Sequence, residues 1–308
     1  MRHPGVGSTS DCGINFPASM NDARPMLERF VARHRRLFVL TGAGCSTESG
    51  IPDYRDTEGA WKRPAPVTYQ AFVSDPMVRR RYWARSLVGW RRLRHALPNR
   101  THRALACLEA LGRVERLVTQ NVDGLHQAAG SRDVLDLHGR IDRVVCLQCG
   151  RKRARDEIQL ELVRGNPSFA AHDGGQAPDG DADLDGVEFS SFDVPVCREC
   201  GGMLKSDVVY FGESVPRTVV ASATASLERA DAMLVVGSSL MVYSAYRFVR
   251  AFALAGKPIA AVNLGRTRAD DLLTFKVAER CSDALAFVLG ALGDGTVETS
   301  DLARRMPA

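Results

Sequence analysis

Five short apolar runs, each ending in small or polar residues, constrain this chain more than any other feature. Leu37-Phe38-Val39-Leu40 leads into Thr41-Gly42-Ala43-Gly44, and Leu117-Val118-Thr119 leads into Gln120-Asn121. Val134-Leu135-Asp136-Leu137 ends at His138, Met233-Leu234-Val235-Val236 at Gly237-Ser238-Ser239, and Ile259-Ala260-Ala261-Val262 at Asn263-Leu264-Gly265. Unbroken Val/Leu/Ile runs read as strands buried on both faces, which is the signature of a parallel sheet covered by helices. Helical patterns at about 101–112, 217–229, 243–255 and 282–292 supply that cover. The expectation is a Rossmann-like, doubly wound α/β domain. In such sheets ligands bind beyond the carboxyl ends of the strands, where these polar residues gather.

Two stretches break the rhythm. Residues 62–100 are rich in Arg and aromatics, with helical spacing through Tyr82, Trp83, Leu87 and Trp90. Residues 143–204 carry two pairs, Cys146-Leu-Gln-Cys149 and Cys197-Arg-Glu-Cys200, 47 residues apart. Two residues between partners let both thiolates of a pair reach one metal, so Cys146, Cys149, Cys197 and Cys200 form a candidate tetrahedral structural zinc site. A nucleic-acid zinc ribbon is the competing reading, and the surrounding strand pattern disfavours it. The stretch from His172 to Gly186, dense in Asp, Gly and Pro, reads as an exposed loop. Both stretches are expected to form one smaller domain. The division is then 26–61, 101–142 and 205–295 for the Rossmann-like domain, 62–100 and 143–204 for the insertions, and tails at 1–25 and 296–308.

At 308 residues the chain can bury a large core, and 45% hydrophobic with 25% charged residues is ordinary for a globular protein. The net charge of +5 is spread along the chain, and only five of the 41 basic residues are Lys. Runs such as Arg79-Arg80-Arg81 read as solvated helix faces, so neither nucleic acid nor membrane is an expected partner. Beyond the metal set, Cys12, Cys45, Cys107 and Cys281 are unpaired in the pattern. Thiolate ligands and free thiols suit a reducing interior, so the cytoplasm is expected, and the chain is expected to be a monomer. The first twenty residues are polar and non-periodic, with little acid. They read as a disordered tail, with an organelle-targeting reading and a start at Met20 both open.

Gly42-Ala43-Gly44 directly after a strand lets backbone approach a phosphate, and Ser46 is expected to open a helix whose N-terminus favours an anion. Thr47 stands where the dinucleotide fingerprint has a third Gly, and no acidic residue ends a second strand to hold a ribose. By itself such a G-x-G also fits a plain tight turn.

The longer string Thr41-Gly-Ala-Gly-Cys-Ser-Thr-Glu-Ser-Gly-Ile-Pro-Asp-Tyr-Arg55 resembles the GAGxSxxSGIPDFR motif of the sirtuins, the NAD-dependent protein deacylases. So do Thr119-Gln-Asn-Val-Asp-Gly-Leu-His126, Leu137-His138-Gly139, both cysteine pairs, Val208-Val-Tyr-Phe-Gly-Glu213, Gly237-Ser-Ser239 and Val262-Asn-Leu264. These occur in family order over about residues 30–290. Arg81-Tyr-Trp-Ala-Arg85 and Ala177-Pro-Asp-Gly-Asp181 look most like the class II branch, near its mitochondrial sirtuin-four type. Tyr54, Ser238 and Ser206 replace the commoner Phe, Thr and Pro.

The resemblance implies a role for each matching residue. Gly42, Ala43, Gly44, Ser46 and Arg55 would surround the pyrophosphate and nicotinamide ribose of NAD, with Asp53 and Tyr54 on a closing loop. Gln120, Asn121 and Asp123 would take the nicotinamide, with Asn121 counted among the catalytic residues beside His138. Gly237, Ser238, Ser239, Asn263, Leu264, Gly265 and Cys281 would line the adenosine end. Strand Val208–Glu213, through Val209, Phe211, Gly212 and Glu213, would pair with an acyl-lysine peptide by β-augmentation; an ordinary buried strand is the alternative. His138 would be the general base, since an imidazole can take a ribose hydroxyl proton near neutral pH. Tyr82 and Arg85 would recognise the carboxylate of an acidic acyl group such as succinyl, or simply belong to a helix whose Tyr packs and whose Arg is solvated. The implied activity is protein-lysine deacylation, releasing nicotinamide and O-acyl-ADP-ribose. Protein mono-ADP-ribosyl transfer and a non-catalytic NAD-binding regulator are the rivals.

Overall fold

The computed structural model describes residues 23–62, 66–175, 181–184 and 186–293. The N-terminal tail up to residue 22, residues 176–180 of the Asp/Gly/Pro-rich loop, and the tail 296–308 lie outside them.

The chain runs through α1 (Ala23–Arg33), β1 (Leu37–Thr41), α2 (Tyr69–Ser74), α3 (Pro76–Leu93), α4 (Arg100–Ala110), β2 (Val114–Thr119), α5 (Leu125–Ala128), β3 (Val134–Asp136), β4 (Gly139–Cys146) and β5 (Lys152–Ala154). It continues through α6 (Arg155–Gly165), α7 (Pro167–Ala170), β6 (Leu204–Val208), α8 (Arg217–Arg229), β7 (Ala232–Val236), α9 (Tyr243–Leu254), β8 (Ile259–Val262), β9 (Phe275–Val277) and α10 (Cys281–Gly293). All five apolar runs are strands. The sixth strand, β9, is too short and too mixed to stand out from sequence. Helix α1 begins at Ala23, so the expected tail boundary at 25 lies inside a helix.

The large sheet has the order β3-β2-β1-β7-β8-β9, and every pair in it is parallel. Strands β1, β7 and β8 are buried at every position. Their side chains alternate between two cores. Leu37, Val39, Leu234 and Val236 pack under α1, α4 and α10, whereas Phe38, Leu40, Met233 and Val235 pack under α8 and α9. Each fully buried aliphatic or Phe side chain stabilises the fold by about 1.5–3 kcal/mol, so the sheet cannot lose a strand. The winding direction reverses between β1 and β7, which opens a crevice beyond their carboxyl ends.

The smaller sheet, β5-β4-β6, is antiparallel. Phe72, Tyr82, Trp83 and Leu87 of α2 and α3 share one core with Val144, Cys146, Ile158, Phe192, Cys197 and Leu204, so the two sequence insertions pack together. Arg155 lies fully buried in this region, with its guanidinium 5.6 Å from the Trp83 ring and 5.3 Å from Trp90. Strands β4 and β6 run from the cysteine cluster to the crevice. Cys146 pairs with Leu204 at one end and Gly139 with Val208 at the other. No described helix is long and apolar enough to cross a membrane.

Candidate active site

The loop after β1 crosses the turn after β7 at minimal separation. Gly44 N donates to Gly237 O at 2.8 Å, and Gly237 adopts φ 60, in the left-handed region. A Cβ on Gly237 would lie 2.5 Å from Cys45 N, and one on Gly44 would lie 2.9 Å from Gly237 O. Glycine is required here so that two backbones can meet, leaving amide groups at the crevice floor. The expected helix at Ser46 is reduced to one short 3-10 turn, Thr47–Ser49, with Ser46 as its N-cap. Two separate 3-10 turns, Ala43–Cys45 and Thr47–Ser49, follow the strand, because Asn99 of the α4 cap captures Cys45 O (2.7 Å) and Ser49 Oγ (3.0 Å).

Above this floor lies a cavity of about 1230 Å³, of the size that takes a small molecule and more. Every cofactor residue named above lines it, as do His138, Tyr82, Val209, Phe211, Gly212 and Glu213. Arg85 does not. Its guanidinium Nε donates to Ala182 O at 2.8 Å, and Ala182 N donates back to Arg85 O at 3.0 Å, so Arg85 ties α3 to the Asp/Gly-rich loop. Tyr82 is buried and its hydroxyl meets Ser206 Oγ at 2.7 Å. Burial pushes the Tyr82 phenol up from its ordinary value. The structure does not bring the expected Tyr82–Arg85 carboxylate clamp together at the cavity: Tyr82 packs in the small-sheet core and reaches the cavity wall, whereas Arg85 turns away to Ala182 O.

One end of the cavity is a hydrogen-bonded amide pocket. Ser46 Oγ donates to Asp123 Oδ2 (2.7 Å) and accepts from Asn121 Nδ2 (3.0 Å), and Asn121 Nδ2 also reaches Gly42 O (3.0 Å). Asp123 Oδ1 takes Leu125 N at 2.9 Å, which fixes the carboxylate at the start of α5. Gln120 bridges the sheet, donating Nε2 to Thr41 O (3.0 Å) and Ser238 Oγ (2.8 Å). Behind this pocket lie two buried histidines that the sequence reading did not single out. His102 Nδ1 accepts Asn99 N, which leaves Nε2 to face Ser46 Oγ at 3.4 Å. His126 Nε2 meets Thr41 Oγ1 at 2.9 Å. Burial drives both down, His102 to about 4 and His126 to about 3, so each is neutral.

His138 sits where β3 hands over to β4. Its Nδ1 lies 3.0 Å from Gln120 O, and a carbonyl can only accept, so the proton is on Nδ1. Nε2 then accepts from Ser244 Oγ at 2.7 Å. Burial is the main cause that lowers His138 to about 4, partly offset by the Gln120 carbonyl and reinforced by the Arg247 guanidinium. The ring is enclosed by protein yet opens to the cavity, as a neutral base requires. Ser244 and Arg247 carried no signal in the sequence, since both look like ordinary residues of an amphipathic helix.

At the opposite end Asn263 Nδ2 donates to Gly265 O at 2.9 Å and Leu264 is 60% exposed. Cys281 is buried, with its Sγ 3.8 Å from Val262 O. The loop carrying Asp53, Tyr54 and Arg55 leans over the cavity. Arg55 donates to Gly59 O (2.7 Å) and stacks on Trp61 at 4.0 Å, while Lys62 pairs with Asp53. Arg266 N donates to Thr57 O at 2.7 Å, joining this loop to the segment after β8.

The expected strand at Val208–Glu213 is also corrected. β6 ends at Val208, because Glu213 Oε2 captures Tyr210 N (2.9 Å) and Gly212 turns at φ 78. Val209 N donates to His138 O at 2.8 Å, and Tyr69 N donates to Phe211 O at 2.8 Å. The segment is a pinned loop at the cavity wall.

The four cysteine sulfurs lie within 4.8 Å of one another, with Cys146–Cys200 at 3.5 Å and Cys149–Cys197 at 3.7 Å. A tetrahedron with zinc–sulfur bonds of about 2.3 Å has edges of about 3.8 Å, so the set fits zinc. Cys146 and Cys197 are buried and Cys149 and Cys200 exposed, which suits a closed knuckle.

A doubly wound sheet with a switch-point cavity, an amide pocket, a neutral histidine and a remote four-cysteine cluster fits a dinucleotide-dependent enzyme with a separate metal site. A family model described as "Sir2 family" matches residues 42–244. "NAD-dependent protein deacetylase 2" of Bradyrhizobium diazoefficiens is 65% identical over 267 residues, covering 87% of this chain and 98% of that protein. "NAD-dependent protein deacetylase" of Xanthomonas campestris pv. campestris is 64% identical over 264 residues, covering 86% and 90%. A solved structure described as "Sir2-p53 peptide-NAD+" superposes with TM-score 0.68 at 28% identity, covering 88% of this chain and 98% of that one. The chain belongs to the Sir2 family.

Proposed function

We propose that this chain is an NAD-dependent protein-lysine deacetylase in which His138 is the general base. The observation that carries the assignment is the neutral His138, which lines the cavity with Nε2 as its acceptor nitrogen, together with the Ser46–Asn121–Asp123 pocket in the same wall. Relatives named as NAD-dependent protein deacetylases, at 64–65% identity, support the same reading.

When bound, NAD supplies a nicotinamide–ribose bond whose cleavage leaves an anomeric carbon open to the acyl oxygen. The Asn121 amide and Asp123 carboxylate, oriented by Ser46 and Leu125 N, would hold the nicotinamide carboxamide. The Gly44–Gly237 crossing puts backbone at the crevice floor, where a pyrophosphate would lie, and the loop carrying Asp53, Tyr54 and Arg55 lines the cavity on its other side. His138 Nε2 accepts the ribose hydroxyl proton. The peptide enters along the Val209–Glu213 loop. Four thiolates leave no open coordination position, so zinc would take no part in the chemistry and would hold β4 and β6 in register. Thiolate ligands with the buried free thiols Cys45 and Cys281 suit a reducing compartment, which supports a cytoplasmic placement.

The test supplies NAD and an acetyl-lysine peptide and follows nicotinamide, peptide and ADP-ribose products by mass. Equimolar nicotinamide, deacetylated peptide and O-acetyl-ADP-ribose are expected. ADP-ribose attached to protein in place of O-acetyl-ADP-ribose would replace deacetylation with ADP-ribosyl transfer, and no turnover would leave only an NAD-binding role.

A further inference from the structure

His138 is held at both ring nitrogens, and the two partners are of different kinds. The Nδ1 partner, Gln120 O, is backbone fixed by the sheet, with Gln120 N itself donating to Thr41 O at 3.0 Å. The Nε2 partner is one side-chain hydroxyl, Ser244 Oγ at 2.7 Å. Ser244 is the second residue of α9, whose N-cap Val242 makes no side-chain capping bond. A serine in a first turn ordinarily turns back to a backbone group. Among the described residues Ser244 Oγ bonds only to His138. Its position is rigid, because Ala245, Phe248, Val249 and Phe252 of the same helix are buried in the sheet core.

We propose that Ser244 is a positioning residue for the base: its hydroxyl, donated to Nε2, holds the His138 ring in the Nδ1–H tautomer at the cavity wall until a ribose hydroxyl takes its place on the Nε2 lone pair. The proposal rests on the reading of His138 as base. With Nδ1 tied to a carbonyl, Nε2 is the nitrogen that can take a proton, so whatever holds Nε2 governs the chemistry. The other charged groups around the ring do not hold it. Arg247, one turn along α9, stacks near Tyr243 at 5.6 Å and only repels a proton. Glu213 on the wall after β6 is paired with Lys205, and Asp123 is held by Ser46. Arg217 at the start of α8 lines the cavity and makes no bond to the ring. Burial is the main cause that lowers His138, so a ring freed from Ser244 to turn toward the open cavity loses part of that desolvation, and its protonation moves toward the ordinary histidine range.

The experiment uses the full chain as Ser244→Ala, Ser244→Thr and His138→Ala, with acetyl-lysine peptide and NAD between about pH 4 and 9, a range that includes the wild-type limb expected from a His138 at about 4. Ser244→Ala is expected to lower kcat about 10-fold, leave KM for NAD nearly unchanged, and move the acid limb of kcat/KM up by about one pH unit. Ser244→Thr, which keeps the hydroxyl, restores the limb. A Ser244→Ala profile superimposed on the wild type would overturn the proposal. So would equal losses in Ala and Thr with no shift of the limb, since those report packing alone. If His138→Ala retained full product formation, the base assignment itself would fall, and the Ser244 proposal with it.

Discussion

The buried histidine pair behind the amide pocket makes the protein acid-sensitive by an amount that can be worked out. His126 is 1% exposed and His102 is fully buried, their rings 4.8 Å apart. Burial is the main cause that lowers each, and His102 further disfavours charge on His126. With the folded value near 3 and the unfolded value about 6.5, His126 is neutral in both states at pH 8. Below pH 6.5 the unfolded chain binds a proton that the folded chain refuses. The stability from a neutral burial is therefore complete above the unfolded pKa and is lost as pH falls toward 3. At pH 5 the loss is about 1.5 pH units at about 1.36 kcal/mol each, or about 2 kcal/mol from His126. His138→Ala would not report this, because it also removes the proposed base. His126→Gln does, since an amide nitrogen near the Nε2 position can still donate to Thr41 Oγ1 without titrating. Urea unfolding of wild type and His126→Gln at pH 8 and pH 5 gives the double difference, in which acid release of zinc cancels. Wild type is expected to lose about 2 kcal/mol more than the variant between the two pH values. Parallel losses in the two proteins would refute the neutral burial of His126.

Cys146→Ser is expected to lose the bound zinc, read by elemental analysis, and with it activity, because β4 and β6 carry His138 and the Val209–Glu213 loop from the cysteine end. A zinc-free variant that stayed folded and fully active would remove the bracing role. Gly237→Ala is expected to cost about 3 kcal/mol in thermal or urea unfolding and to abolish NAD binding, since a Cβ would sit 2.5 Å from Cys45 N at a left-handed backbone position. An unchanged melting temperature would show that the two turns can separate. Arg85→Ala is expected to change acetyl- and succinyl-peptide turnover equally, because Arg85 bonds to Ala182 O outside the cavity. Selective loss of succinyl turnover would restore the carboxylate-clamp reading.

The large sheet was legible because its strands are continuous apolar runs, a pattern that tolerates no other burial. β9 was not, since Phe275–Val277 is a three-residue edge strand with Lys276 at its centre. The cysteine spacing announced its own cluster, because ligands two residues apart have few other reasons to be so placed. The residues after β6 misled: Val208-Val-Tyr-Phe is as apolar as a strand, but a glutamate five residues on captures a backbone N–H and bends the chain. Tyr82 and Arg85 had the right spacing for a shared ligand, but Arg85 turns to Ala182 O while Tyr82 reaches the cavity, a difference that only packing decides. Ser244, His102 and His126 act through contacts 56 to 106 residues apart in sequence, and no local pattern encodes such a bond.

Separating the two halves of the reaction tests the account most directly. Nicotinamide release precedes the step that needs a base, so labelled nicotinamide exchange and O-acetyl-ADP-ribose formation should respond differently to His138→Ala. With NAD and acetyl-peptide, the variant is expected to keep nicotinamide exchange while losing O-acetyl-ADP-ribose formation. Equal retention of both would contradict His138 as the base at the heart of this site.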